Sequence, residues 1–211
     1  MANPFLNTMQ LAEGYLNGGG GPLIGKSVSP DNLPAEDYGG LLGKVLVVDD
    51  AEALKLSLTA TGTLRAGAYM RVLTKAGSAA APARGIGCFW DTSANNGYKL
   101  KVVTPDISAT VISDFAGVYV DVPAKGSYCW IQIGGLASLL GAAAVASAVA
   151  GNLCVFTGLA TNTFDGIADA TDYYATAGAG KRVVGTWYEA PASGLIKLAW
   201  LKTMQATGFG L

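Results

Sequence analysis

The chain contains no histidine. That absence excludes a Ser-His-Asp triad, a Cys-His pair and any zinc site built on imidazole, leaving carboxylate, lysine or tyrosine chemistry to an enzyme. Charge is nearly as scarce. Only 14% of the 211 residues are Asp, Glu, Lys or Arg, and 14 basic against 15 acidic side chains give a formal net charge of −1. A nucleic-acid surface needs clustered Lys and Arg to release counterions, and the closest approach to a cluster is Lys181-Arg182. Nucleic acid is not an expected partner. The cysteines number three, Cys88, Cys129 and Cys154, with no C-x-x-C spacing. Neither a disulfide framework nor a zinc ribbon is indicated. Each sits beside large apolar residues, so buried thiols in a reducing compartment are expected. The one run that could be taken for a membrane span, 136–150, falls short of the ~20 residues required. Gly141 interrupts it, and Ala and Ser dominate it. No membrane partner is expected, and the first residues show no basic-then-apolar leader.

What is present is a hydrophobic fraction of 51% and 29 glycines. Disorder needs low hydrophobicity and high net charge, and this chain has neither. So few charges over so large a surface point to partners covering much of it.

Residues 1–43 differ from the rest. They hold Pro4, Pro22, Pro30 and Pro34 and the run Gly18-Gly19-Gly20-Gly21. Before the glycines, 8–16 predicts a short helix with Thr8 as its N-cap and Leu11, Tyr15 and Leu16 on one face. A helix this short is marginal alone and needs something to pack against. The four glycines make a flexible joint. The segment reads as an arm that orders on a neighbouring subunit, or as a disordered tail.

From Gly43 onward the period becomes two. Lys44 to Val48 predicts a buried strand with its turn at Asp49-Asp50, and 51–61 fits a strand better than an Asp-capped helix. Three segments, 66–72, 116–122 and 150–156, share Ala-Gly followed by an apolar run, a weak internal echo with uneven spacing. Residues 86–103 predict a hairpin turning at Asn96-Gly97. The stretch 125–156 carries no charge after Lys125. It predicts a first strand from Tyr128, a break at Gly134-Gly135, a small-residue connection and a second strand ending at Phe156. Residues 157–180 predict a long loop, and 183–189 with 195–201 a closing strand pair. About ten evenly spaced strands with little helix predict a mainly β fold, a sandwich or barrel-like domain over 44–211 with an extended N-terminal arm over 1–43.

Candidate chemistry is sparse. Asp49, Asp50 and Glu52 lack the alternation of a calcium loop and read as a turn, and Asp165, Asp169 and Asp172 read as solvated loop acids. Lys44 lacks the hydroxyl residue that a phosphate loop places after its lysine. Tyr128, Trp130, Trp187, Tyr188 and Trp200 could form a carbohydrate platform, but at strand spacing they read first as core or interface residues. No catalytic, cofactor-binding or metal-binding residue is expected.

Three segments carry a family resemblance: K-G-S-Y-C-W-I-Q-I-G-G-L-A at 125–137, A-V-A-G-N-L-C-V-F at 148–156, and V-V-G-T-W-Y-E-A-P-A-S-G-L-I-K-L-A-W-L at 183–201. In order and spacing they resemble the head decoration (cement) proteins of tailed bacteriophages. The chain departs from that pattern at Trp187-Tyr188, at Asn152 and throughout its first 43 residues. The resemblance implies a non-enzymatic virion protein made in the host cytoplasm. It would be a homo-oligomer, often a trimer, bound outside the head to the major capsid protein and stabilising its lattice. The expected subunit or capsid contacts are Phe5, Leu11, Tyr15, Leu16, Tyr128, Trp130, Trp187 and Tyr188. The alternative is a virion-surface carbohydrate-binding or host-attachment module.

Overall fold

The computed structural model describes residues 43, 45–51, 53, 64–91, 102–105, 115–142, 148–156, 163–167 and 182–202. The predicted arm contacts Phe5, Leu11, Tyr15 and Leu16 lie outside them. The described chain is mainly β, as alternating apolar residues over short Gly-bounded segments require. Its ten strands are β1 (Val45–Val48), β2 (Gly67–Thr74), β3 (Gly87–Trp90), β4 (Val102–Thr104), β5 (Phe115–Tyr119), β6 (Tyr128–Leu140), β7 (Leu153–Phe156), β8 (Phe164–Ile167), β9 (Arg182–Trp187) and β10 (Ile196–Leu201).

The hydrogen-bonded order β1-β2-β4-β3-β5-β6-β10-β9-β7-β8, with β2 also pairing β6, makes two rings. In the first, β2, β4, β3, β5 and β6 close into a barrel because β6 returns to β2 from Gly67↔Gly135 to Leu73↔Tyr128. In the second, β6, β10, β9, β7 and β8 close through the parallel bridge Gly141↔Phe164. The long strand β6 is the last wall of the first barrel and the first wall of the second.

The barrels repeat one plan. Each has one parallel contact, β2 with β4 in the first and the Gly141↔Phe164 bridge in the second. A register shift falls after Cys88 where β3 meets β5, and after Cys154 where β7 meets β9. The Tyr119 amide donates to the Ile86 carbonyl at 3.1 Å and the Trp187 amide to the Asn152 carbonyl at 2.9 Å. Ser127 closes its turn on Ala124 and Leu195 closes its own on Ala192, both at 3.1 Å. The interiors match position for position. Met70, Val72, Cys88, Val103, Ala116, Tyr119, Ile131 and Ile133 fill the first barrel. Ala137, Leu139, Cys154, Phe164, Val184, Trp187, Ala199 and Leu201 stand at the same places in the second. Phe115 of β5 and Phe89 of β3 pack with the second interior, Phe115 edge-on to Phe89 at 6.3 Å and to Phe164 at 6.1 Å.

Several expectations need correction. The Gly134-Gly135 break is absent, and β6 runs straight through it. Gly135 has φ +87, and a Cβ there would stand 2.5 Å from Gly67 Cα, so glycine lets two backbones touch rather than ending a strand. The expected loop over 157–180 contains β8, whose Phe164 and Ile167 are buried. β1 is a strand but not a buried one. Among the described residues it pairs only with β2, and Val45 and Val47 face out while Leu46 and Val48 face in. Where a strand was expected from residue 51, the chain begins with a helical turn in which the Ala53 amide donates to the Asp49 carbonyl at 2.9 Å. Residues 54–63 lie outside the described set. The hairpin over 86–103 is present as β3 and β4, in register at Trp90↔Val103, while its Asn96-Gly97 turn is outside the described residues. The Ala-Gly echo gives way to a truer repeat, in which Gly117, Pro123, Ala124 and Gly126 match Gly185, Pro191, Ala192 and Gly194.

Candidate docking face

Closing a sheet into a ring gives every strand an inner and an outer face, and side chains alternate between them. On β10, Ala199 and Leu201 point into the second barrel, which leaves Ile196, Leu198 and Trp200 outside. The β6 register sets Leu136 opposite Trp200. The Tyr188 amide donates to the Leu198 carbonyl at 2.9 Å, placing Tyr188 beside the same stripe. The result is an apolar outer face built from Leu136, Tyr188, Ile196, Leu198 and Trp200. Tyr188 is 57% exposed, Trp200 49% and Ile196 42%. Its edge carries one acid, Glu189, whose Oε2 accepts from the Leu198 amide at 3.0 Å.

The repeat supplies the comparison that gives this face meaning. Its twin on the first barrel consists of Tyr69, Val120, Tyr128, Trp130 and Gln132, by the same register. There Tyr69 and Trp130 are sealed under Val48, Ala53 and Leu64, with Leu46 and Val120 packed against them. Arg71 lies fully buried in that layer, its guanidinium carbon 5.5 Å from the Tyr128 ring centroid and 5.7 Å from that of Trp130. The Tyr69 hydroxyl donates to the Arg65 carbonyl, and burial pushes its pKa up to about 12, with the Arg65 contacts opposing. Thus the chain covers one outer face with its own residues and leaves the other open. A large exposed apolar patch marks a binding surface more often than a single exposed side chain does.

The structure separates the predicted contact residues. Tyr188 stands exposed on the open face. Tyr128 is half-buried on Arg71. Trp130 is 3% exposed beneath the first barrel's cover, and Trp187 is 1% exposed inside the second barrel, its Nε1 donating to the Asp165 carbonyl at 2.9 Å. Neither tryptophan offers surface to a partner in the single chain. The open-face residues that sequence reasoning did not single out as contacts are Leu136, Ile196, Leu198 and Trp200. The signal for the three on β10 was the period of two across 196–201, in which Ile196, Leu198 and Trp200 make one phase wholly apolar while the other holds Lys197, Ala199 and Leu201.

The described residues hold no group of three or more metal-ligating side chains. A cavity of about 10 Å³ between Leu64, Tyr119, Gln132 and Ser138 has room for about one water. Cys88, Cys129 and Cys154 are buried free thiols, and burial raises all three pKa values, Cys129 to about 12. Thiols held this way are poor nucleophiles. No described helix is long and apolar enough to cross a membrane. No protein-family model and no curated protein sequence matches this chain.

Proposed function

We propose that this chain is a structural, non-enzymatic decoration protein that binds the outside of a phage head and stabilises the major capsid protein lattice. The observation that carries the reading is the open face of Leu136, Tyr188, Ile196, Leu198 and Trp200, in a chain that seals the matching face of its other barrel. It is broad, apolar and nearly uncharged, which suits burial against protein. Each Å² of apolar surface covered there stabilises by ~25 cal/mol before association costs are subtracted. The three segments that carry the family resemblance support the same reading, since they lie on β6, the wall the two barrels share, and on β7, β9 and β10 of the second barrel. The charge-poor composition and Gly-jointed arm fit a protein that lives among copies of itself, of which a trimer is the favoured assembly. The test is to count the chain in purified particles by quantitative mass spectrometry and to heat particles that lack it. Hundreds of copies per particle, and earlier genome release without them, are expected. A trace amount, or unchanged heat resistance, would remove the reading.

A second reading is favoured by one observation. Tyr188 and Trp200 are both exposed aromatics on a single strand pair, as in a sugar-stacking platform. Glycan-array binding that is lost in Trp200→Ala would favour a carbohydrate-binding module over a capsid contact.

A further inference from the structure

The repeat shows how this chain covers such a face, and the path of β1 shows which way its N-terminal segment leaves. β1 enters beside Arg71, where the Gly43 amide donates to the Arg71 carbonyl at 2.8 Å. It then runs antiparallel to β2, from Val45↔Met70 to Val48↔Gly67. Gly67 in turn pairs Gly135, where β6 passes into the second barrel. The chain therefore travels toward the second barrel as it goes through β1, and Gly43, where the described chain begins, lies at the opposite end. To reach its own open face, the segment would have to turn back for ~20 Å along β6 from Trp130 to Leu136. That route is already covered by Val48, Ala53 and Leu64.

The segment's chemistry matches the open face. From residue 1 to Ile24 it carries one charged side chain, Glu13, and its apolar residues include Phe5, Leu11, Tyr15 and Leu16. A helix as short as 8–16 needs an apolar surface to persist. The 26 residues from Asn17 to Leu42, with their glycine run, can extend up to about 85 Å. That is ample to cross to a neighbour, and it is the covered stretch of β6, not length, that disfavours the segment's own face.

We infer that the N-terminal segment of one copy docks through Leu11, Tyr15 and Leu16 onto the open face of the second barrel of a neighbouring copy. The inference rests on reading that face as a protein-docking surface. The contact joins different surfaces head to tail, and head-to-tail contacts give rings when the rotation closes, a trimer being one such ring.

The experiment uses three full-length proteins and sedimentation equilibrium. Wild type is expected to form a closed oligomer. A segment variant carrying Leu11→Glu and Leu16→Glu, and a face variant carrying Trp200→Glu, are each expected to be monomeric. Mixed in equal amounts, the two are expected to form a one-to-one dimer, because one intact segment then meets one intact face. Ile196→Lys serves as a second face variant, and matching circular dichroism and melting establish that each protein is folded. A monomeric wild type overturns the inference, as does either variant keeping the wild-type assembly. A mixture that stays monomeric overturns it too, since a segment folded back on its own copy would give that result, whereas association of two like faces would leave the segment variant assembled. A chain that assembles in this way yet is absent from purified particles leaves the inference standing and removes only the capsid reading.

Discussion

Gly185 offers the sharpest test of the two-barrel plan. It pairs with Leu201 across β9 and β10. A Cβ placed on it would overlap the Trp200 carbonyl oxygen and stand 2.8 Å from the Trp200 carbonyl carbon. Both atoms are backbone, so no side chain can swing away, and Gly185→Ala must push β10 off β9. Overpacking alone costs about 1–3 kcal/mol, and each ladder hydrogen bond lost adds about 1 kcal/mol, giving about 3–5 kcal/mol. For a chain of this size that lowers Tm by about 6–20 °C. Gly117 holds the same place in the first barrel, but there the nearest obstacle to a Cβ is the Gln132 carbonyl oxygen at 2.6 Å, so the conflict is milder. Gly117→Ala is expected to cost about 1–3 kcal/mol. Gly77 meets nothing within 4 Å and serves as the neutral control. Differential scanning calorimetry of the three variants should rank them Gly185→Ala, Gly117→Ala, Gly77→Ala in decreasing loss. If Gly185→Ala melts with Gly77→Ala, the close approach of β9 and β10 is not a constraint, and the argument that the repeat keeps glycine for contact fails.

Other outcomes follow from the same geometry. Trp187→Phe removes the part-buried hydrogen bond to the Asp165 carbonyl, a loss of about 0.5–1.5 kcal/mol that urea unfolding would read; an unchanged midpoint would mean the bond contributes nothing. The three buried thiols should ignore a thiol-specific disulfide reagent in the native protein and all react in denaturant, so rapid native labelling would contradict their burial. Tyr69 and Cys129 have pKa values raised from 10.0 and 9.0 to about 12, so the folded state holds their protons where the unfolded chain has lost them. Their contribution is complete below the unfolded values and is lost as pH rises toward about 12, so urea midpoints should fall across that window and less steeply in Cys129→Ala.

Much of this fold was legible from local pattern. The period of two gave the strand regions, the 86–103 hairpin and the closing pair, because a half-buried strand must alternate whatever its partners are. Long-range contact was not legible in the same way. Gly134-Gly135 read as punctuation because a sequence cannot show that Gly67 will lie against it. β8 was hidden in a Thr-rich stretch because four residues with Phe164 and Ile167 at the ends do not alternate. The repeat was masked because it is kept in position and volume more than in identity. Tyr119 answers to Trp187, Ile131 to Ala199 and Val103 to Phe164, and only the G-x-aromatic…P-A-x-G frame of 117–126 and 185–194 survives in letters.

The amino-acid sequence by itself determined that the chain is β-rich, poor in charge, without imidazole chemistry and preceded by a charge-poor glycine-jointed segment. These follow from composition and short-range periodicity, which need no knowledge of partners. Tertiary structure alone decided which aromatic residues face outward. Alternation places Trp130 and Leu198 on the same outer phase of twin strands, yet one lies under Val48, Ala53 and Leu64 and the other on an open stripe beside Trp200. Burial there depends on whether a distant segment of chain lies across the barrel, and no local pattern encodes that.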